Sequence, residues 1–123
     1  MRPEILKCNA AIRGANMPVI TVSDDSFEDE VHHSPVPVLV DFGTAWCAPC
    51  KQLGPVLDVL AKEQDGKIKV VKVDVDSNPK FATQLGVRGI PSLFIFKGGA
   101  VVANRTGAAK KETLEEWIAF STT

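Results

Sequence analysis

The stretch Trp46-Cys47-Ala48-Pro49-Cys50-Lys51 places two cysteines three positions apart, after an apolar run and before residues with helical spacing. Two cysteines at this spacing, at the start of a helix, can close a small disulfide ring. The first sulfur then lies where the helix dipole favours a thiolate. The stretch therefore has the layout of a redox centre.

Two other interpretations of this cysteine pair are half of a zinc site and two buried structural cysteines. A zinc site needs about four ligands. The remaining candidates, Cys8, His32 and His33, do not have the spacing of a zinc finger. We therefore expect no metal and assign the pair to redox chemistry.

The composition is that of one ordinary globular domain. Of 123 residues, 45% are hydrophobic and 24% are charged, so the chain can bury a core large enough to fold without stabilising disulfide bonds. Its 14 basic and 15 acidic residues give a formal charge of -1, and no basic stripe is interleaved with aromatic residues. This balance argues against nucleic acid as a partner and favours proteins.

The N-terminal residues do not have the pattern of a secretory signal. Residues 1–16 lack a continuous apolar region, and no run in the chain has the length of a membrane span. We therefore predict a cytoplasmic protein with no membrane association. Residues 1–17 are predicted to be a weakly ordered N-terminal extension, or to precede a true start at Met17, and Cys8 is predicted to be a bystander thiol.

From Pro18 onward, short apolar strands alternate with segments of helical spacing, which indicates an α/β sheet covered on both faces. The predicted strands are 19–22, 36–42, 68–75, 92–96 and 100–104. The predicted helices begin at Ser23 or Asp24 and run to His32, and then cover 47–63, 78–85 and 110–120. Gly98-Gly99 predicts a tight hairpin, so the last two strands are expected to be antiparallel and the sheet mixed.

Asp41 is the one charged residue in the apolar strand 36–42. A buried carboxylate is costly unless it has a partner or a task. One interpretation is a strand-end carboxylate that hydrogen-bonds to backbone. The other is a base with a raised pKa that serves the cysteine pair.

Several motifs in this order resemble the thioredoxins over roughly residues 18–121. They are Val40-Asp41-Phe42, Trp46-Cys47-Ala48-Pro49-Cys50-Lys51, Val71-Lys72-Val73-Asp74-Val75-Asp76, Gly89-Ile90-Pro91, Phe96-Lys97-Gly98-Gly99 and Gly107-Ala108. The resemblance implies the thioredoxin fold, a mixed central sheet of four to five strands flanked by four helices. It also implies general protein disulfide reductase activity without a cofactor of its own.

Two positions depart from the usual pattern of that family. Ala48 stands where most thioredoxins have glycine between the cysteines. Many thioredoxins also carry a second tryptophan in the segment before Trp46, where this chain has Gly43 and Thr44. The missing indole predicts either a gap or a freer loop beside the redox centre.

The resemblance also assigns roles to single residues. It implies that Cys47 is the nucleophile, with a pKa near ~7 as is typical of thioredoxins against ~8.5 for a free thiol. Cys50, expected to be the more buried of the two, is the resolving thiol. Asp41 is the buried acid or base beneath Cys50, and Lys72 lies near it.

A shallow apolar groove is expected to receive an extended client segment by strand addition. The resemblance implies a cis Ile90–Pro91 bond opposite the disulfide. The expected groove residues are Trp46, Ala48, Pro49, Val75, Gly89, Ile90, Pro91, Gly107 and Ala108. For Val75 and Ala108 individually, an ordinary turn with a partly exposed apolar side chain is the competing interpretation.

Three functions remain in competition. The first is a monomeric disulfide reductase that takes electrons from a thioredoxin reductase-type flavoprotein and passes them to disulfide-containing client proteins. The second is a disulfide oxidant or isomerase, although such enzymes often place histidine between the cysteines. The third is a non-redox binding or chaperone module, against which the intact cysteine pair argues.

Overall fold

A computed structural model of the chain describes residues 19–123. They form one five-stranded mixed sheet with strand order β1-β3-β2-β4-β5. The predicted α/β fold is confirmed. The strands are β1 (Val19–Thr21), β2 (Val38–Gly43), β3 (Lys69–Asp74), β4 (Ser92–Lys97) and β5 (Ala100–Thr106).

Strand β2 lies in the middle of the sheet, and all six of its residues are buried. It pairs in parallel with β3 and antiparallel with β4. The predicted strand began at residue 36, but the observed one begins after Pro37, which has no backbone N–H to donate to a sheet. The carbonyl of Pro37 accepts a hydrogen bond from Lys69 N–H, so the pairing with β3 begins there.

In the described part of the chain, three α-helices and one π-helical turn flank the sheet. The helices are α1 (Ala48–Glu63), α2 (Lys80–Gln84) and α3 (Lys111–Ser121), and the π-helical turn is Glu28–His32. In α1, Leu53, Leu57 and Leu60 are buried at the predicted helical spacing. The helix continues past Pro55, as the apolar pattern predicts.

The first predicted helix differs from expectation. Its last turn is closed by a hydrogen bond from His33 N–H to the Glu28 carbonyl, five residues back, which is the π-helical pattern. Of the two candidate caps, Ser23 serves this segment, since its Oγ accepts a hydrogen bond from the Ser26 N–H. Asp24 instead accepts a hydrogen bond from the N–H of Lys80, the first residue of α2. Asp24 N–H is in turn bound to the Asn78 side chain. Asp24 therefore links two segments that lie far apart in the chain.

The hairpin between β4 and β5 turns at Gly98 and Gly99, whose φ angles are 62° and 85°. Side chains other than glycine rarely adopt these angles, so the glycine pair fixes the turn. The antiparallel pairing predicted from it is observed.

The sheet is buried on both faces. On one face, Phe27 stacks on Phe81 with ring centroids 4.1 Å apart and packs around Phe42 and Phe96. On the other, Leu residues of α1 and α3 pack on Leu39 and Leu93. Full burial of each such side chain contributes about 1.5–3 kcal/mol, so the two clusters hold β2 firmly between them.

The predictions for Cys8, Met17 and the extension 1–17 lie outside the described residues. Within residues 19–123, no helix is both long enough and apolar enough to cross a membrane.

Candidate active site

The cysteine pair lies where β2 leads into α1. Cys47 is the N-cap of α1 and has an extended backbone, with φ of -86° and ψ of 115°. Its sulfur is bonded to that of Cys50, and the two Cα atoms are 5.2 Å apart. The Cys50 backbone N–H donates a hydrogen bond to Cys47 Sγ at 3.2 Å. A helix N-terminus offers unpaired N–H groups and a positive dipole end, so this position stabilises negative charge on Cys47.

The order of burial of the two cysteines is the reverse of the prediction. In the disulfide form, Cys47 is only 5% exposed, whereas Cys50 is partly exposed. Gly43 at the end of β2 has no side chain, and Cys50 Sγ occupies the space where one would begin. A Cβ added at Gly43 would lie 2.9 Å from Cys50 Sγ, so this sulfur packs against bare backbone.

A cavity of about 450 Å³ lies beside Gly43 and is called the Gly43 cavity. Its walls come from β1, from the ends of β2 and β3 and from the first three turns of α1. They include Asp41, Gly43, Thr44, Cys50, Leu57 and Lys72. Of the two possibilities left by the missing indole, a gap or a freer loop, the structure contains the gap.

Asp41 is one of the residues that line the Gly43 cavity, and it is 5% exposed. Its Oδ1 has no hydrogen-bond partner among the described residues. Burial raises the pKa of Asp41 to about 6, and the positive charge of Lys72 opposes that rise. Lys72 is the register partner of Asp41 on β3, and both line the Gly43 cavity. For Oδ1, the backbone hydrogen bond considered for Asp41 is not present among the described residues.

The predicted groove residues come from loops that meet at one end of the sheet. Val75 follows β3, and its N–H binds the Gly43 carbonyl at 2.9 Å. Pro91 precedes β4, and its carbonyl accepts a hydrogen bond from Gly107 N–H at 2.8 Å. The Ile90–Pro91 bond is cis. Because Phe42 of β2 pairs with Ser92 of β4, these loops lie at the same end of the sheet as the segment that leads to Cys47.

The accessibility of the groove residues varies. Trp46 is 69% exposed, and its Nε1 donates to Asp76 Oδ2 at 2.7 Å. Pro91 is buried. The residues Ala48, Pro49 and Ala108 are exposed, and Val75, Gly89, Ile90 and Gly107 are partly exposed. This end of the sheet therefore presents small and apolar groups beside the Trp46 indole, which the hydrogen bond to Asp76 orients.

Sequence reasoning did not assign two features of this site. Asp76 holds the Trp46 indole across 30 positions of sequence, a pairing that local spacing cannot reveal. The contact of Gly43 with Cys50 Sγ is likewise not visible in the sequence, although the glycine itself departs from the family pattern. Thr44 Oγ1, next to it, is buried without a hydrogen-bond partner among residues 19–123.

Comparison with known proteins agrees with this geometry. The family model "Thioredoxin" matches residues 18–120. Thioredoxin 1 of Nostoc sp. is 53% identical over 97 residues, which cover 79% of this chain and 91% of that protein. The thioredoxin of Synechocystis sp. is 50% identical over 93 residues, covering 76% of this chain and 87% of the relative. The thioredoxin of Allochromatium vinosum is 46% identical over 100 residues, covering 81% and 94%. The chain belongs to the thioredoxin family.

Proposed function

We propose that this chain is a general protein disulfide reductase that cycles between a dithiol and a disulfide. Family membership and the cysteine pair at disulfide distance support this function. The observation that carries it is the position of Cys47 Sγ, which caps helix α1 and accepts the N–H of Cys50. That environment stabilises a thiolate, and the thiolate is the species that attacks a disulfide.

In the proposed cycle, the Cys47 thiolate attacks one sulfur of a client disulfide. A mixed disulfide forms, and the other client sulfur leaves as a thiolate. Cys50 then attacks Cys47 Sγ, the client is released in reduced form, and the Cys47–Cys50 disulfide closes. An external reductant restores the dithiol.

Asp41 serves this cycle as the base that accepts the Cys50 proton. It lines the Gly43 cavity together with Cys50, and its buried carboxylate has a pKa of about 6. An acid with such a pKa exchanges protons readily near neutral pH. Lys72 stabilises the carboxylate form when the proton leaves.

The client is proposed to lie in the groove at this end of the sheet. The groove is formed by Trp46, Val75, the cis Ile90–Pro91 bond and Gly107-Ala108. The small and apolar groups there allow a client backbone to come close, and the Ile90 backbone is available for strand addition. The bond between Trp46 and Asp76 fixes the indole at one side of this surface.

Membership of the family implies interaction with a thioredoxin reductase and with disulfide-containing clients. We further propose that the chain acts as a monomer in the cytoplasm, without a cofactor, through a catalytic domain spanning residues 18–121. Residues 1–17 are proposed to be an extension outside that domain.

The reduction potential of the Cys47–Cys50 pair distinguishes this function from an oxidant or isomerase. We expect a value near about -270 mV, which is typical of thioredoxins. The protein is equilibrated with a glutathione redox buffer and alkylated, and the amounts of its dithiol and disulfide forms are then measured. A value between about -120 and about -180 mV, the range of disulfide oxidants and isomerases, would contradict the proposed direction of electron flow.

A further inference from the structure

The loop Gly89-Ile90-Pro91, which leads into β4, leaves the polar backbone groups of one residue unpaired. The Gly89 carbonyl accepts a hydrogen bond from Ser92 Oγ, and the Pro91 carbonyl accepts one from Gly107 N–H. Proline itself has no N–H to donate. Neither the N–H nor the carbonyl of Ile90 pairs with backbone in the described part of the chain. Ile90 is partly exposed, so these two groups are open to a partner from another molecule.

Ser92 is held firmly on the buried side of this loop. It is the first residue of β4 and is 4% exposed. Its backbone lies between Phe42 of β2 and Thr106 of β5 in the sheet. A buried hydroxyl is costly unless it is hydrogen-bonded, and Ser92 Oγ donates to the Gly89 carbonyl at 2.5 Å. That carbonyl is therefore tied to the inside of the molecule.

The same hydrogen bond fixes the direction of the Ile90 N–H. The Gly89 carbonyl and the Ile90 N–H belong to one peptide unit, which is planar. This unit is trans, since the one cis bond among the described residues is Ile90–Pro91. In a trans unit the carbonyl and the N–H point in opposite directions. Because the carbonyl points to buried Ser92, the Ile90 N–H points away from the core.

The position of Gly89 is also restricted by β5. A Cβ added at Gly89 would lie 3.3 Å from Thr106 Cγ2, which is closer than an ordinary van der Waals contact. The backbone at Gly89 thus lies close against Thr106. A change in the direction of the Ile90 N–H therefore requires rotation of the Gly89–Ile90 peptide unit, and the bond from Ser92 Oγ opposes that rotation.

We propose that Ser92 is a positioning residue for protein clients: its hydroxyl holds the Gly89 carbonyl inward and so aims the Ile90 N–H at a backbone carbonyl of the client. This proposal rests on the proposed reductase function and on the groove proposed for clients. Ser92 acts through the peptide unit of the loop and not by contact with the client. A donor that is already oriented strengthens binding, because less conformational freedom is lost when the client arrives.

This role distinguishes protein clients from small disulfides. An extended client segment offers a backbone carbonyl to the loop by strand addition, whereas hydroxyethyl disulfide has no peptide group. The reaction at Cys47 is the same for both substrates. Loss of the Ser92 hydroxyl should therefore weaken the binding of a protein client and leave the reaction with hydroxyethyl disulfide unaltered.

Two substitutions at this position separate the hydroxyl from the rest of the side chain. Ser92→Ala removes the donor to the Gly89 carbonyl and makes the smallest change in volume. Ser92→Thr is the matched control, because it keeps the hydroxyl and because β-branched residues suit a strand.

The experiment measures single-turnover reduction of insulin by the pre-reduced full chain carrying Cys8→Ser, over a range of insulin concentrations. We expect Ser92→Ala to raise the half-saturating insulin concentration about fivefold, as for the loss of one hydrogen bond. Its limiting rate should stay within about twofold. Ser92→Thr should keep both quantities within about twofold. The rate with hydroxyethyl disulfide should be alike in all three proteins.

Three results would overturn the proposal. The first is an unchanged half-saturating concentration in Ser92→Ala, and the second is an equal rise in Ser92→Thr. The third is an equal slowing of the reactions with insulin and with hydroxyethyl disulfide, because that pattern would place the effect at the sulfurs. If the Cys8→Ser chain reduced neither substrate, the proposed reductase function would fail instead, so the two failures are distinguishable.

Discussion

Replacement of Cys47 by serine is expected to reduce insulin turnover to the rate of the reductant alone, a loss of about a thousandfold or more, or at least about 4 kcal/mol in barrier. Serine keeps the size of the side chain but removes the sulfur that is stabilised by the N-terminus of α1 and by the Cys50 N–H. A hydroxyl at this position is not ionised at neutral pH and cannot exchange with a disulfide. The assay follows precipitation of the insulin B chain over time.

The matched variant is Cys50→Ser. It retains Cys47, so it should still attack a client disulfide once, and should then remain bound as a mixed disulfide because no second thiol resolves it. Cys8→Ser should leave turnover unchanged, since the proposed cycle needs only the active-site pair. Equal turnover by wild type and Cys47→Ser would leave only a binding or chaperone role for the groove.

Replacement of Asp41 by asparagine should affect kinetics and stability in opposite directions. The carboxylate that receives the Cys50 proton is lost, so release of the mixed disulfide should become slower by about ten- to a hundredfold, within the contribution typical of general bases. The amide has nearly the same shape, and the fold should persist. Stopped-flow release of reduced client measures the first effect, and unchanged release would remove Asp41 from the mechanism.

The effect on stability follows from the pKa of Asp41, which burial raises to about 6 in the folded protein from its ordinary value of 3.8. Between these values the folded state binds more protons than the unfolded state, so stability falls as pH rises through this window. The penalty is absent below about pH 4 and complete above about pH 6, where it amounts to about 3 kcal/mol. Asp41→Asn removes it.

We therefore expect Asp41→Asn to raise the free energy of unfolding by about 3 kcal/mol near pH 7.5 and to change it little near pH 3.5. Urea unfolding of the oxidised protein at both pH values measures this difference. A control at an exposed carboxylate, Asp58→Asn, should show no comparable gain. A stability gain that did not depend on pH would show that packing, and not ionisation, is the cause.

Local chemistry explains why most of the fold could be predicted from the sequence. Cys47 lies at the predicted helix start, since the segment Ala48-Pro49 suits a first helical turn. Gly98-Gly99 determines the hairpin through its positive φ angles. The spacing of Leu53, Leu57 and Leu60 identifies the buried face of α1. Each of these signals acts within a few residues along the chain.

The errors arise where residues meet that are distant in sequence. Ser23 caps the first helical segment as predicted, but Asp24, the other candidate, binds the N–H of Lys80, more than fifty positions later in the chain. The relative burial of Cys47 and Cys50 depends on what lies above each sulfur. Cys50 Sγ lies against Gly43 at the place where a side chain would begin, a contact that only the packing of β2 against α1 makes visible.

Ready ionisation of Cys47 underlies the whole proposed cycle, and the pH dependence of its alkylation measures that ionisation. The suitable protein is the Cys8→Ser, Cys50→Ser double variant, in which iodoacetamide has a single thiol to modify. The rate of modification should follow a profile with its midpoint near about pH 7, as is typical of thioredoxins. A midpoint at about pH 8.5 or higher, the value of an ordinary free thiol, would contradict it.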